Sequence, residues 1–255
     1  MSNSAFIYDA VRTPRSKGKL GAALSEVKPV DLLAGLLNGL RDRHDLDTAL
    51  VDDVVMGCVM PVGEQGGCLP KTAVMKAGWD ESVAGVQLDR FCASGLEAVN
   101  LAAMKIASGW EDLVVAGGVE SMSRVPMGSN GGAWGEDPQT AFDTGFIPQG
   151  VSADLIATLE GYSRQQLDEF AVRSQDNASA AREAGYFDKS VLPVKDLNGF
   201  TVLEKDDFIK PGTTVESLAG LKPSFAMMGG FGFDDIAISK YPQVAKINHV
   251  HHAGN

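Results

Sequence analysis

The chain has 255 residues, of which 44% are hydrophobic and 22% charged, as in ordinary globular proteins. Its net charge of −11 argues against a nucleic-acid-binding protein, which would need a basic face. No apolar run reaches the roughly 18 residues of a membrane span, and residues 1–8 do not resemble a secretory signal. The three cysteines are therefore expected to be reduced thiols in a cytoplasmic protein that has no membrane or nucleic-acid partner.

The first half of the chain alternates predicted strands with predicted helices. Strands are expected at residues 5–9, 52–58, 86–88 and 113–117, and helices at 29–42, 68–77 and from 96 to about 108. Such alternation is typical of α/β proteins that have a mostly parallel sheet with helices on both faces.

From Ser123 the pattern becomes irregular, and residues 126–150 are rich in Gly, Pro, Asn and Asp. Ser163 and Gln166 form the signature of a capping box at the start of a long helix. Further helices, extended pieces and loops are predicted at residues 151–160, 163–184, 191–193, 201–203 and 211–225. We expect an irregular α+β domain here.

Cys92 lies between a predicted strand end and a predicted helix that is nearly free of charge and therefore expected to be buried. Ligand chemistry in parallel sheets gathers at the carboxyl ends of the strands. The start of a helix favours a thiolate, and its unpaired N–H groups can stabilise an oxyanion. Cys92 is therefore a candidate nucleophile, and the alternative is an inert, packed cysteine.

Two motifs narrow this choice: C-A-S-G at 92–95 and V-V-A-G-G-V-E-S-M-S at 114–123. Together they resemble the thiolase family of acyl-CoA acyltransferases, and the resemblance runs from D-A-V-R-T-P at 9–14 to H-A-G-N at 252–255. In that family the cysteine of a C-x-S-G motif is acylated by an acyl-CoA. The resemblance implies that Cys92 is this nucleophile, that its N–H is one oxyanion donor, and that a coenzyme A thioester is the substrate, with no cofactor.

The resemblance also implies a division of the chain. Residues 1–122 correspond to an N-terminal α/β core with the nucleophile, 123–250 to a loop domain that covers the CoA site, and 251–255 to the start of a return into the core. The G-H-P, N-E-A-F and C-x-G-G-G-x-G motifs of the second half of a thiolase do not occur in the 255 residues. We therefore expect the C-terminal half of the fold to be absent from this chain.

Three residues are candidates for substrate binding. Lys222, in L-K-P-S-F, corresponds to a basic residue near the adenine end of CoA, although a solvated lysine is an equal alternative. Gln149 and Gly150 stand where some short-chain biosynthetic thiolases have His-Met-Gly, a departure that weakens a preference for acetoacetyl-CoA. The segment between Ser123 and Pro148 is shorter than the tetramer-building loop of those enzymes, so a homodimer, or a dimer of dimers, is expected.

His249, His251 and His252 are close in sequence, but their spacing fits no common metal site, and none is predicted. The sequence thus favours thiolysis of 3-ketoacyl-CoA, or the reverse Claisen condensation. No residue of the chain is a good candidate for the necessary base. The alternative is a thiolase-like protein that binds acyl-CoA or lipid without catalysis, which the intact Cys92 disfavours.

Overall fold

The computed structural model describes residues 4–255, which form two compact units. Unit 1 is Met1–Asn130, described from residue 4, together with Phe187–Phe208, and unit 2 is Gly131–Tyr186 with Ile209–Asn255. The compact units thus divide eight residues after the predicted boundary (130 against 122), and residues 187–208 belong with unit 1. The assignment of 123–250 as a cover for a CoA site stays a prediction.

Unit 1 contains a parallel sheet and three helices. Its elements are α1 (Pro29–His44), β1 (Asp53–Gly57), α2 (Leu69–Lys76), β2 (Ala84–Leu88), α3 (Ser94–Ser108), β3 (Val114–Gly118), β4 (Val194–Lys195) and β5 (Thr201–Leu203). β4 and β5 form a small antiparallel pair. β4 begins three residues after the start of the extended piece predicted at 191–193, and β5 coincides with the piece predicted at 201–203. Short 3₁₀ turns lie at Thr48–Leu50 and Gly63–Gln65.

The main sheet has the order β2-β1-β3, and all its strands are parallel. The chain passes from β1 through α2 to one neighbour, and then through α3 to the strand on the other side of β1. Gly85 of β2 lies directly against the backbone of Lys71 in α2, whereas Gly57 of β1 lies against Ser94 in α3. Helices therefore cover both faces, which confirms the predicted architecture.

The core of unit 1 lies between the sheet, α1 and α2. Every residue of β1 is buried, as expected for a central parallel strand, and Leu37 of α1 is only 1% exposed. Full burial of such a side chain contributes about 1.5–3 kcal/mol. Further core residues are Leu33, Val54, Met56, Leu69, Val74, Trp79 and Val83.

The predicted strand at residues 5–9 is wrong. These residues form no strand pairing within residues 4–255, and Phe6, Ile7 and Tyr8 are exposed. Asp9 instead accepts hydrogen bonds from Arg43 and His44 at the end of α1. A strand requires a partner for its backbone groups, and sequence alternation alone cannot show whether one is available.

Within the described residues α3 is buried on one side only, and its burial on the other faces in a larger protein stays a prediction. Only Ser94, Ala98 and Ala102 are buried, where one side of the helix packs on β1 and β3. Leu96 and Met104 point away from the sheet and are 65% and 55% exposed. This nearly uncharged helix therefore has more apolar surface than the sheet alone covers.

Unit 2 is mainly helical. Its helices are α4 (Ala133–Glu136), α5 (Pro138–Thr144), α6 (Gln149–Glu160), α7 (Arg164–Glu183), α8 (Val215–Ala219), α9 (Ala226–Met228), a wide turn at Gly229–Phe233, and α10 (Asp234–Lys240). The predicted capping box is confirmed, with Ser163 and Gln166 each accepting the other's backbone N–H. Its core contains Val151, Leu155, Ala237, Val244 and Ile247.

The helices α4, α5, α9 and α10 were not predicted, because glycines and prolines around them conceal the helical period. Within residues 4–255, no helix is both long and apolar enough to cross a membrane.

Candidate active site

Cys92 lies at the carboxyl edge of the parallel sheet. β2 ends at Leu88 and α3 begins at Ser94, so the thiol stands in the turn between them, and its side chain is exposed. The neighbouring strands β1 and β3 end at the same edge, at Gly57 and Gly118. The chain moves from one side of β1 to the other in this region, which is where parallel sheets place their ligands.

A network of short hydrogen bonds fixes the turn before Cys92. Asp89 Oδ1 accepts the N–H of Phe91 at 2.7 Å. Ser94 Oγ accepts the N–H of Arg90 at 2.8 Å and donates to the carbonyl of Phe91 at 2.6 Å. Phe91 has φ +48°, a left-handed conformation that is uncommon for a bulky residue and often marks a functional turn. Asp89 and Phe91 thus shape the turn.

Glycine allows α3 to begin directly on the sheet. A Cβ atom at Gly57 would lie 2.3 Å from the carbonyl carbon of Ser94. A Cβ atom at Gly118 would lie 3.1 Å from the Gly57 carbonyl oxygen and 3.5 Å from Gly95 Cα. The close approach places the start of α3, two residues after Cys92, immediately above the ends of β1 and β3.

The start of α3 gives the thiol a polar backbone environment. No side chain caps the helix at Ala93. The Ser94 N–H donates to the Phe91 carbonyl at 2.9 Å, but within residues 4–255 the N–H groups of Gly95 and Leu96 have no hydrogen-bond acceptor and are available to a ligand. Within residues 4–255, no side chain hydrogen-bonds to the Cys92 thiol. The described chain therefore supplies a nucleophile and helix N–H groups, but places no general base in contact with Cys92.

The other two cysteines differ from Cys92. Cys58 is buried, and burial, followed by the nearby Glu120 carboxylate, raises the pKa of its thiol to about 11. Cys68 is exposed, but its thiol donates to the Gly85 carbonyl at 3.3 Å. The alternative of an inert, packed cysteine describes Cys58 and not Cys92.

Sequence reasoning missed a polar network at the carboxyl edge of the sheet that centres on Gln65 and Glu120. Gln65 is fully buried, and its side-chain amide donates to Glu120 Oε1 at 2.6 Å. Glu120 stood in a motif used for the family resemblance, but nothing in the sequence indicated its partner. Gln65 lies in a glycine-rich loop that gave no sign of burial.

In unit 2 the two segments that carry the three substrate-binding candidates lie next to each other. Gln149 is the exposed first residue of α6, and a Cβ atom at Gly150 would lie 2.2 Å from the ring of Phe225. Lys222 precedes Phe225 by three residues and is exposed. The start of α6 and the L-K-P-S-F segment are therefore neighbours, and their role in binding CoA stays a prediction.

The three histidines near residue 250 bind aspartates. His249 lies between Asp154, at 2.7 Å, and Asp234, at 3.0 Å, and His252 Nε2 is 2.8 Å from Asp168. Burial opposes the charge of His249, but hydrogen bonds to the two carboxylates outweigh it and raise its pKa. These contacts tie the last described segment to α6, α7 and α10.

The comparisons agree with this geometry. The family model for the thiolase N-terminal domain matches residues 5–232. The β-ketoadipyl-CoA thiolase of Pseudomonas aeruginosa is 40% identical over 242 residues, with 88% of this chain and 60% of the relative covered. The 3-ketoacyl-CoA thiolase of Pseudoalteromonas translucida is 38% identical, with 89% and 59% covered.

A solved structure shows the same fold. The acetyl-CoA acetyltransferase of Bacillus anthracis matches with a TM-score of 0.74 at 33% identity, over 88% of this chain and 59% of that one. The chain thus spans about 60% of the length of the relatives that it matches. On the match to the family's N-terminal domain and on these relatives, the chain belongs to the thiolase family.

Proposed function

We propose that the protein containing this chain is a thiolase that transfers acyl groups between coenzyme A thioesters through a thioester on Cys92. The observation that carries the proposal is the position of Cys92. It is an exposed thiol in a C-A-S-G motif, at the start of α3 and at the carboxyl edge of the sheet. A nucleophile in this place can attack a bound carbonyl while helix N–H groups stabilise the resulting oxyanion.

In thiolysis the Cys92 thiolate attacks the 3-keto carbon of a 3-ketoacyl-CoA. The bond between the α- and β-carbons breaks, and acetyl-CoA leaves after its α-carbon takes up a proton. The shortened acyl group remains on Cys92 until the thiol of a second CoA, having lost its proton to a base, displaces it. The reverse sequence is the Claisen condensation. Both proton transfers require acid/base groups, which we assign to residues outside the described chain.

The names of the relatives support the substrate class. They include a β-ketoadipyl-CoA thiolase, a 3-ketoacyl-CoA thiolase and an acetyl-CoA acetyltransferase. We propose a 3-ketoacyl-CoA as substrate for this protein, with no cofactor and with a homodimer, or a dimer of dimers, as its assembly. The ring of Phe225 packed on Gly150 supports a pantetheine-binding surface beside Gln149, with Lys222 near the adenine end.

A substitution at Lys222 tests the CoA assignment. Lys222→Ala should raise the KM for a 3-ketoacyl-CoA about fivefold, because one exposed charged contact to a phosphate contributes about 1 kcal/mol, and kcat should stay unchanged. The matched control is Lys195→Ala, which removes an exposed lysine from β4 in the other unit. Equal effects of the two substitutions would contradict the assignment.

The substitution Cys92→Ser in the complete protein distinguishes an enzyme from a non-catalytic protein that binds acyl-CoA or lipid. The enzyme should lose nearly all turnover and retain affinity for CoA thioesters. A protein that binds acyl-CoA but shows no turnover even with Cys92 intact would support the binder.

A further inference from the structure

We propose that Gln65 and Glu120 form a clamp that positions the Cys92 turn for acyl transfer. These two side chains together are called the Gln65–Glu120 clamp. The inference rests on the proposed thiolase function and adds two positioning residues to it. Neither side chain need touch the substrate.

Gln65 uses both ends of its buried amide. Its Nε2 donates to Glu120 Oε1 at 2.6 Å and to the Met60 carbonyl at 3.0 Å. Its Oε1 accepts the N–H of Ser121 at 2.6 Å. Because the side chain is 0% exposed, water cannot replace these bonds when the amide is removed. One amide thus ties the loop after β1 to the segment after β3.

Glu120 closes the clamp from the other side. Its second carboxylate oxygen accepts the N–H of Val59 at 2.8 Å, so a single carboxylate joins the segments that follow β1 and β3. Hydrogen bonds to a carboxylate are stronger than those between neutral groups. Because each oxygen holds a donor from a different segment, Glu120 serves to fix the geometry.

The third strand is connected through Gln87, one residue before the end of β2. Its Nε2 donates to the backbone carbonyl of Gln65 at 2.7 Å, and its Oε1 accepts the N–H of Leu69 at 2.8 Å. The residues after β2 lead directly into the Cys92 turn. The clamp and Gln87 therefore link the carboxyl ends of all three strands.

The clamp affects Cys92 because α3 rests on the two strand ends that Glu120 joins. The contacts at Gly57 and Gly118 leave no space beneath Ser94 and Gly95, so a change in the separation of β1 and β3 shifts the start of the helix. A displacement of about 1 Å at a reacting group costs roughly 100-fold in rate. Orientation of the thiol, rather than its accessibility, is the property that the clamp controls.

The variant Gln65→Met tests the clamp in the complete protein, since methionine has a similar length and no strong hydrogen-bonding group. We expect kcat for thiolysis to fall at least about tenfold while KM stays within about threefold. Alkylation of Cys92 by iodoacetamide, which needs only an accessible thiol, should stay within about threefold. If Gln65 served only to hold the fold together, Gln65→Met would change the rates of thiolysis and of Cys92 alkylation alike, because a general loosening of the structure alters both.

The matched control is Gln165→Met. It removes a glutamine amide that donates to Glu169 at 2.8 Å on the exposed surface of α7, outside the proposed site. This control should leave kcat, KM and alkylation unchanged. A wild-type kcat in Gln65→Met would overturn the clamp, whereas wild-type protein without thiolysis would defeat the proposed function itself and the clamp with it.

A second set of variants, which exchanges the amide and the carboxylate of the clamp, keeps the proposal testable if Gln65→Met does not fold. Gln65→Glu places two carboxylates against each other and should lower kcat further. The double variant Gln65→Glu with Glu120→Gln restores one amide and one carboxylate, and should recover at least about threefold. Additive losses in the double variant would overturn the proposal. If a thermal melt shows that the Gln65 variants do not fold, the test uses Glu120→Gln alone, because Glu120 is exposed. This variant should lower kcat for thiolysis and leave alkylation of Cys92 within about threefold.

Discussion

The three cysteines have different surroundings, and these predict different reactivities. Cys92 is exposed at the start of a 15-residue helix, Cys68 is held against a carbonyl oxygen, and Cys58 is buried with a pKa of about 11. In the complete protein at neutral pH, iodoacetamide should alkylate Cys92 fastest and Cys58 slowest. Mass spectrometry of the peptides over time measures the three rates, and equal labelling of Cys58 and Cys92 would contradict the assignment.

Residue chemistry was only partly predictable from sequence. Cys92 is a candidate nucleophile because a strand end, a cysteine and a helix start follow one another directly, and the C-A-S-G and A-G-G-V-E-S-M-S motifs then favour it over a packed cysteine. Gln65 was not identified, since the burial of its amide depends on Glu120, which lies 55 residues away in the chain. Such long-range pairing carries no local pattern.

At the scale of elements, the contact between β1 and α3 predicts the effect of a single methyl group. Gly57→Ala should destabilise the protein by about 1–3 kcal/mol, because the added carbon would meet the Ser94 backbone at 2.3 Å. It should also lower turnover, since α3 must move. Chemical denaturation measures the free energy of unfolding.

Gly35→Ala is the control for this substitution. Gly35 is exposed inside α1 and has nothing within 4 Å of an added Cβ, so alanine should stabilise the helix by about 0.5–1 kcal/mol. A Gly57→Ala variant as stable as this control would show that the start of α3 has room to adjust.

The aspartate and histidine contacts of unit 2 predict a dependence on pH. The pKa of His249 is raised above its ordinary 6.5, because the carboxylates of Asp234 and Asp154 outweigh burial. The folded form therefore binds its proton more tightly than the unfolded form. The stability from this proton is fully present below pH 6.5 and is lost as pH rises through the higher folded value.

Urea unfolding at several pH values measures this contribution. In His249→Gln the fall in stability above pH 6.5 should largely disappear, whereas an unchanged fall would assign it to another group. Asp154 acts at a different pH. Burial opposes its charge, but hydrogen bonds from His251, Val250 and His249 lower its pKa, so its contribution is lost only on strong acidification.

The elements with a clear period were predicted to within a few residues, and those without it were missed. β1, α2, α3, β3 and α7 carry long apolar runs or identifiable caps. α5 begins at a side-chain cap, with Asp137 accepting the N–H groups of Gln139 and Thr140 around a proline at the helix start, but the glycines and prolines near it conceal its helical period. The strand at residues 5–9 failed because pairing, not propensity, decides whether an extended segment becomes a strand.

At the scale of the whole molecule, residues 4–255 supply only some of the groups that the proposed acyl transfer requires. No side chain of residues 4–255 hydrogen-bonds to the Cys92 thiol, and α3 exposes Leu96 and Met104. Residues 1–255 expressed alone should therefore fail to turn over a 3-ketoacyl-CoA, since groups that act as a unit are strongly non-additive. Exposed apolar surface, at about 25 cal/mol per Å², should also leave them poorly soluble. A cooperative melt with sustained turnover would refute both expectations.

The central claim is that Cys92 carries the acyl group. The most direct test is to incubate the complete protein with acetyl-CoA, quench it in acid, and locate the adduct by peptide mass spectrometry. We predict an added mass of about 42 Da on the peptide that contains Cys92, its loss on addition of free CoA, and its absence in Cys92→Ser. An acetyl group on another residue, or a Cys92→Ser variant that still turns over at the wild-type rate, would contradict the account.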